Sequence, residues 1–184
     1  MNKTIEPQVL STNLVSRTLL FKVEEVTVKF TNGAEATLEK LSALAPEVVM
    51  IVPILDCGKL VLINEYCPGT GRYELKFPTG RVENFESYLE TANRELIEEV
   101  GFGSRRLTEL KTIYASPGHC DQSTTICLAQ DLFPQHGVGD ELYKSQITLW
   151  DIKDWRSLLA GRLSDARSIE ALFISMTKLN NSFF

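Results

Sequence analysis

The chain has 184 residues, 43% hydrophobic, 23% charged and 9% aromatic. At roughly 150 residues per domain this is one domain with room for a small appendage, and its apolar content excludes disorder and low complexity. Its 24 acidic residues against 19 basic ones leave a net charge of −5, the wrong sign for a sequence-independent nucleic-acid binder.

The opening stretch MNKTIEPQVL lacks the apolar run of a signal peptide, which points to a cytoplasmic chain. The first 14 residues read as polar and loose. Leu19 to Phe30 partly alternates apolar and polar residues, Asn32-Gly33 follows, and Ala36 to Leu41 resumes the strand pattern. That order predicts a hairpin closed by a type I′ turn, whose two central residues take positive φ. Val48 to Leu55 is apolar nearly throughout and predicts a strand covered on both faces. It contains Pro53 and is far shorter than the ~20 residues a membrane helix needs, so no membrane role is expected. Lys59 to Asn64 pairs with it around Asp56-Cys57-Gly58.

After Gly80 the period lengthens. Phe85, Leu89, Ala92, Leu96 and Val100 recur at helical steps, with Asn84 as the expected N-cap and Gly101 as the stop. Strands are expected at Leu107 to Ala115, Thr124 to Gln130 and Ile147 to Ile152, with a loop from Pro134 to Lys144. A short helix near Trp155 precedes a longer one whose stripe of Ile169, Leu172, Phe173, Met176 and Leu179 is expected to pack on the core. This order predicts an α/β fold with a mixed sheet covered on both faces. Residues 1–45 form a strand-rich arm with little core of its own, a reason to expect a homodimer, and 46–184 form the main domain. Cys57, Cys67, Cys120 and Cys127 make no CxxC pair and read as reduced thiols.

The segment Gly80 to Phe102 carries the chemistry. On a helix, Glu95, Glu98 and Glu99 fall within an arc of about 100°. Like charges at that spacing cost some tenths of a kcal/mol per pair, and Arg94 is the one cation in the segment after Arg81. A divalent cation is the simplest compensation, because carboxylates beside substrate phosphates are the usual setting for Mg²⁺ or Mn²⁺. Gly80, after Pro78-Thr79, is expected to let the backbone turn sharply into the helix and leave a carbonyl free for metal. A solvated acidic face would show the same charges.

The full pattern decides between them. Gly80, Glu86, Arg94-Glu95, Leu96, Glu98-Glu99, Gly101 and Phe102 resemble the signature of the Nudix hydrolase superfamily, with an aromatic rather than aliphatic last position. The resemblance implies an α/β/α sandwich with a mixed sheet and metal-dependent hydrolysis of nucleoside diphosphate derivatives. It makes Glu95 and Glu99 the principal metal ligands, with Glu98 beside them and the Thr79 carbonyl contributing. It also makes Arg94 the clamp on Glu86, with Glu90 a competitor for the guanidinium.

Outside the box the chain resembles the branch that cleaves ADP-ribose and related ADP compounds. Tyr73 to Gly80 (YELKFPTG) is similar to that branch's lead-in, with Glu74 at the acidic place and Lys76-Phe77 as two extra residues. Ser116-Pro117-Gly118 and Gly161 to Leu172 are similar to further segments of it. Cys67 and Asp121-Gln122 depart from the branch's pattern. The resemblance implies an ADP-linked substrate such as ADP-ribose, NADH or a diadenosine polyphosphate, with Glu74 and Pro117 at the substrate. The general base is implied on the loop before the last strand, where Glu141 is preferred over Asp140. It further implies an N-terminal hairpin exchanged between subunits, Phe21 stacking on the base and Lys40 meeting phosphate. A non-catalytic nucleotide sensor on the same fold is the alternative, because fold alone does not separate the two.

Overall fold

The computed structural model describes residues 5–135, 137 and 146–180, without the side chain of Asn180. Its chain divides into two units, Met1–Pro46 with Tyr114–Ser123, and Glu47–Ile113 with Thr124–Phe184.

The first unit holds a three-stranded antiparallel sheet of β1 (Gln8–Arg17), β2 (Phe21–Lys29) and β3 (Glu35–Ala43), in that order. Strand β1 overturns the expectation of a loose start. Its ladder with β2 slips between Val9 and Ser11 and again between Leu14 and Ser16, and these irregularities interrupt the period-two alternation that marks a strand. The β2–β3 hairpin forms as expected, but its turn is not type I′. Gly33 has φ +85°, Asn32 is not among the residues of positive φ, the Gly33 amide donates to the Phe30 carbonyl and the Phe30 amide to the Ala34 carbonyl. A three-residue loop with glycine in the left-handed position closes it instead.

In the second unit, alternation along the strands builds two cores on opposite faces. Four strands run in the order β7 (Thr79–Arg81), β4 (Glu47–Pro53), β9 (Ser123–Pro134) and β8 (Phe102–Tyr114). Three more run β10 (Gln146–Asp151), β5 (Lys59–Cys67), β6 (Arg72–Lys76). Met50, Val52, Leu60, Leu62, Ile126 and Leu128 face one core with Leu158 of α2 (Trp155–Gly161) and Leu172 and Met176 of α3 (Ala166–Asn180). Their neighbours Val49, Ile51, Val61, Ile63, Cys127 and Ala129 face the other, with Ala92, Leu96 and Val100 of α1 (Tyr88–Val100). This is the two-sided burial that the apolar run at Val48 to Leu55 predicts. The result is an α/β/α sandwich with a mixed sheet. Among the described residues no helix is long and apolar enough to cross a membrane.

The helix α1 starts later than expected. Its N-cap is Ser87, not Asn84: the Ser87 hydroxyl accepts from the Glu90 amide, and the Glu90 carboxylate accepts from the Ser87 amide at 2.8 Å. This is a capping box, which satisfies two otherwise orphaned donors. It also engages Glu90 there, away from Arg94. Gly101, with φ +74°, ends the helix as expected. Phe85 lies before the helix rather than on its apolar stripe; it is fully exposed and has φ +73°. In α3, Phe173 likewise departs from the expected stripe, at 57% exposure.

Candidate functional site

The site is built where α1 crosses the short strand β7. Leu96 and Ala92 seat α1 on the sheet, and the next positions around the helix carry Glu95, Glu98 and Glu99. Arg94 reaches back over the loop to Glu86, donating from Nε to Oε1 at 2.8 Å and from Nη2 to Oε2 at 2.9 Å. The Thr91 hydroxyl donates to the same carboxylate at 2.9 Å. The paired guanidinium hydrogen bonds hold the Glu86 carboxyl down at about 2 and raise the already high value of Arg94. The clamp implied by the signature is therefore present.

The same guanidinium serves the helix acids. Its Nη1 donates to Glu95 at 2.7 Å and to Glu98 at 3.2 Å, and Nη2 donates to the Arg81 carbonyl at 3.0 Å. Glu99 accepts from the Thr79 amide at 3.2 Å. The acids thus have protein partners, and their crowding on one stripe is tolerable without a bridging dication.

Gly80 plays a different part from the expected one. It lies within β7, paired with Val49, and makes no sharp turn. A Cβ there would fall 1.9 Å from Cγ and Cδ of Glu95. The missing side chain is the channel through which the Glu95 carboxylate crosses the strand.

Carboxylates at 95, 98 and 99 beside the Thr79–Gly80 backbone offer oxygen donors alone, a set suited to Mg²⁺ or Mn²⁺ rather than to zinc. Among the described residues no three His, Cys, Asp or Glu side chains are already gathered into a ligand cluster; Glu95 and Glu98 turn to Arg94. A cavity of about 490 Å³ opens beside this face, lined by Asn93, Arg94, Ile97, Glu98 and Gly137 among others. Gly137 packs against α1 so closely that a Cβ would sit 2.8 Å from Ile97 Cγ2. Asp140 and Glu141 lie outside the described residues.

The residues implied at the substrate divide between the units. Glu74 belongs to the second. It is buried, accepts from the Ser164 hydroxyl and from Arg72 Nε at 2.8 Å, and is held at about 2 by these two contacts in that order. Phe21, Lys40 and Pro117 belong to the first. Phe21 is half-buried at the start of β2, Pro117 is exposed in a turn, and Lys40 pairs with Asp121 at 3.1 Å. A buried cation that the signature does not mark, Lys76, sits beside Thr79 with its Nζ 3.1 Å from the hydroxyl. Nothing in its sequence position signalled burial beyond its place as an extra residue in the lead-in.

The NUDIX domain model matches residues 45–138, and the model of the NudE-type Nudix hydrolase N-terminal domain matches residues 7–40. The chain is 40% identical over 176 residues to the ADP compounds hydrolase NudE of Escherichia coli (strain K12), spanning 95% of this chain and 94% of that one. It is 32% identical over 87 residues to the ADP-ribose pyrophosphatase of Bacillus subtilis (strain 168), spanning 47% of each. A crystal structure of an ADP compounds hydrolase superposes with a TM-score of 0.89 at 38% identity, over 99% of this chain and 98% of that one. Signature, sandwich and clamp agree with these likenesses: the chain belongs to the Nudix hydrolase family.

Proposed function

We propose that the protein is a Nudix pyrophosphohydrolase that cleaves the diphosphate bond of ADP-linked compounds, releasing AMP and a phosphorylated second product. The observation that carries this is the stripe of Glu95, Glu98 and Glu99 over the Thr79–Gly80 strand, steadied by the Glu86–Arg94 fork. The relatives named as hydrolases favour the enzyme over the nucleotide sensor.

Glu95 and Glu99 hold the divalent ion, Mg²⁺ by preference and Mn²⁺ as a substitute, with Glu98 and the Thr79 carbonyl beside them. A divalent ion bound there would make water more acidic and offset charge on the leaving phosphate. Arg94 fixes the carboxylates by fastening Glu86, which keeps ligand rotamers from drifting. Glu141 takes the proton from the attacking water. Phe21, Lys40, Glu74 and Pro117 contact the ADP half.

The protein is proposed to act as a cytoplasmic homodimer joined through its N-terminal arm. Supporting this, Val9, Leu10, Leu14 and Val15 of β1 are 45–59% exposed, more apolar surface than one strand usually leaves to water.

A panel of ADP-ribose, NADH and diadenosine polyphosphates with Mg²⁺, read by chromatography of the released AMP, tests the activity. Absence of AMP from all of them would refute it. Glu99→Gln keeps size and removes charge, and is expected to lower turnover by about 10²-fold or more, the scale of a catalytic metal ligand.

A further inference from the structure

We infer that Lys76 is a positioning residue of the hydrolytic site, acting through the Thr79 hydroxyl on the backbone against which Glu95 and Glu99 are seated. The inference rests on the Nudix reading of that site and adds a residue the family signature does not contain.

Strand pairing fixes the face of its own sheet on which Lys76 stands. Lys76 is opposite Ile63, and Glu74 is opposite Glu65; paired residues of an antiparallel ladder point the same way. Ile63 belongs to the core that α1 covers, so Lys76 and Glu65 stand on the α1 side of the sheet. Lys76 is 7% exposed. Its Nζ pairs with Glu65 and donates to the Thr79 hydroxyl at 3.1 Å. The Thr79 amide in turn donates to Glu99 at 3.2 Å, and the next residue is the glycine that Glu95 crosses.

Burying an ammonium costs several kcal/mol unless it is paired and hydrogen-bonded. A methionine or leucine would fill the space without that cost. What an ammonium adds is direction: Glu65 anchors it, and its hydrogen bond fixes the Thr79 rotamer and the three-residue strand β7. That strand is joined to β4 at Val48, Val49 and Met50, and the hydrogen bond from Lys76 to Thr79 is a second hold that limits how it slides or rolls. The Thr79 amide and the Gly80 Cα must both keep their places for Glu99 and Glu95 to keep theirs. The role assigned to Lys76 therefore runs through Thr79 and the β7 backbone.

The test compares Lys76→Met, Thr79→Val and the double variant. Thr79→Val keeps the carbonyl and the side-chain shape and removes the hydroxyl. Two quantities are read: Mn²⁺ affinity by calorimetry without substrate, and kcat and KM with ADP-ribose. Loss of a supporting contact of this kind is expected to cost about 10- to 100-fold in metal affinity or kcat, with KM little changed. The double variant should be no worse than the poorer single one, because both remove one link. A folded Thr79→Val or Lys76→Met protein with wild-type Mn²⁺ affinity and kcat overturns the inference, as do fully additive losses. If Lys76→Met does not fold, Thr79→Val decides alone. If the wild type hydrolyses no ADP compound, the proposed function fails while the Mn²⁺ titration still judges the positioning role.

Discussion

Gly80→Ala tests the link between backbone and chemistry. The new Cβ would lie 1.9 Å from Cγ and Cδ of Glu95 and 2.1 Å from its Oε1, about half the ~3.5–4.0 Å at which carbon atoms pack. The backbone itself accepts alanine, since Gly80 is not among the glycines of positive φ. Reduced freedom of the unfolded chain then favours the variant by about 0.4–1 kcal/mol. The strand is pinned to β4, so Glu95 is the group that moves. Overpacking of this kind costs about 1–3 kcal/mol, which leaves a net loss between about zero and about 2.6 kcal/mol. For a domain of this size that lowers Tm by roughly 2–4 °C per kcal/mol.

Activity should suffer far more than stability. A displacement of about 1 Å in a group that positions the reaction can cost 10²-fold, and Glu95 has to move farther than that to clear the methyl. The expected result is a folded protein, a few degrees less stable, with kcat/KM reduced by about 10²-fold or more. Gly69→Ala is the control, because a Cβ there meets nothing within 4 Å. Steady-state hydrolysis of ADP-ribose and a thermal melt suffice. Wild-type kcat/KM in a folded Gly80→Ala protein would refute the argument that the open glycine face sets the Glu95 carboxylate.

Three further outcomes follow from the geometry. Glu86 is held at about 2 against an ordinary 4.5, so it contributes stability in full above 4.5 and loses it as pH falls toward 2; urea unfolding of Glu86→Gln against wild type should show a gap at neutral pH that closes over that window. Phe85 is fully exposed at φ +73°, where a bulky residue is strained, so Phe85→Asn should raise stability by up to about 1 kcal/mol, read as a higher melting temperature. Burial pushes the Cys127 thiol up to about 12 whereas Cys57 is exposed, so a thiol reagent on the native protein should label Cys57 and reach Cys127 only after unfolding.

What the sequence made legible was what local pattern controls. The apolar run at Val48 to Leu55 announced a two-sided strand, and Leu96, Val100 and Gly101 announced the helix and its end. The helix start was legible too, as Ser87 followed three places later by Glu90, but Asn84 is an equally good cap by residue type and lies nearer Gly80. Strand β1 was hidden by its two register slips. The roles of Gly80 and Lys76 lay beyond any local pattern. Each depends on a side chain from elsewhere in the chain, Glu95 across one and Glu65 against the other, and sequence spacing cannot report such approaches.

The charge count of the site follows the same division. Three acids on one stripe are visible in the sequence, and their repulsion suggests that only a dication could reconcile them. The fold supplies another route, because Arg94 reaches Glu86, Glu95 and Glu98 at once while Glu99 turns to a backbone amide. Helix stability alone therefore asks for no metal. One guanidinium still cannot balance four carboxylates, and a diphosphate substrate would bring further negative charge to the same face. The need for a dication thus moves from folding to turnover. Removing divalent ions with a chelator should abolish hydrolysis while leaving the melting temperature within a few degrees of its starting value. Collapse of the fold on chelation would show that the acids depend on metal after all.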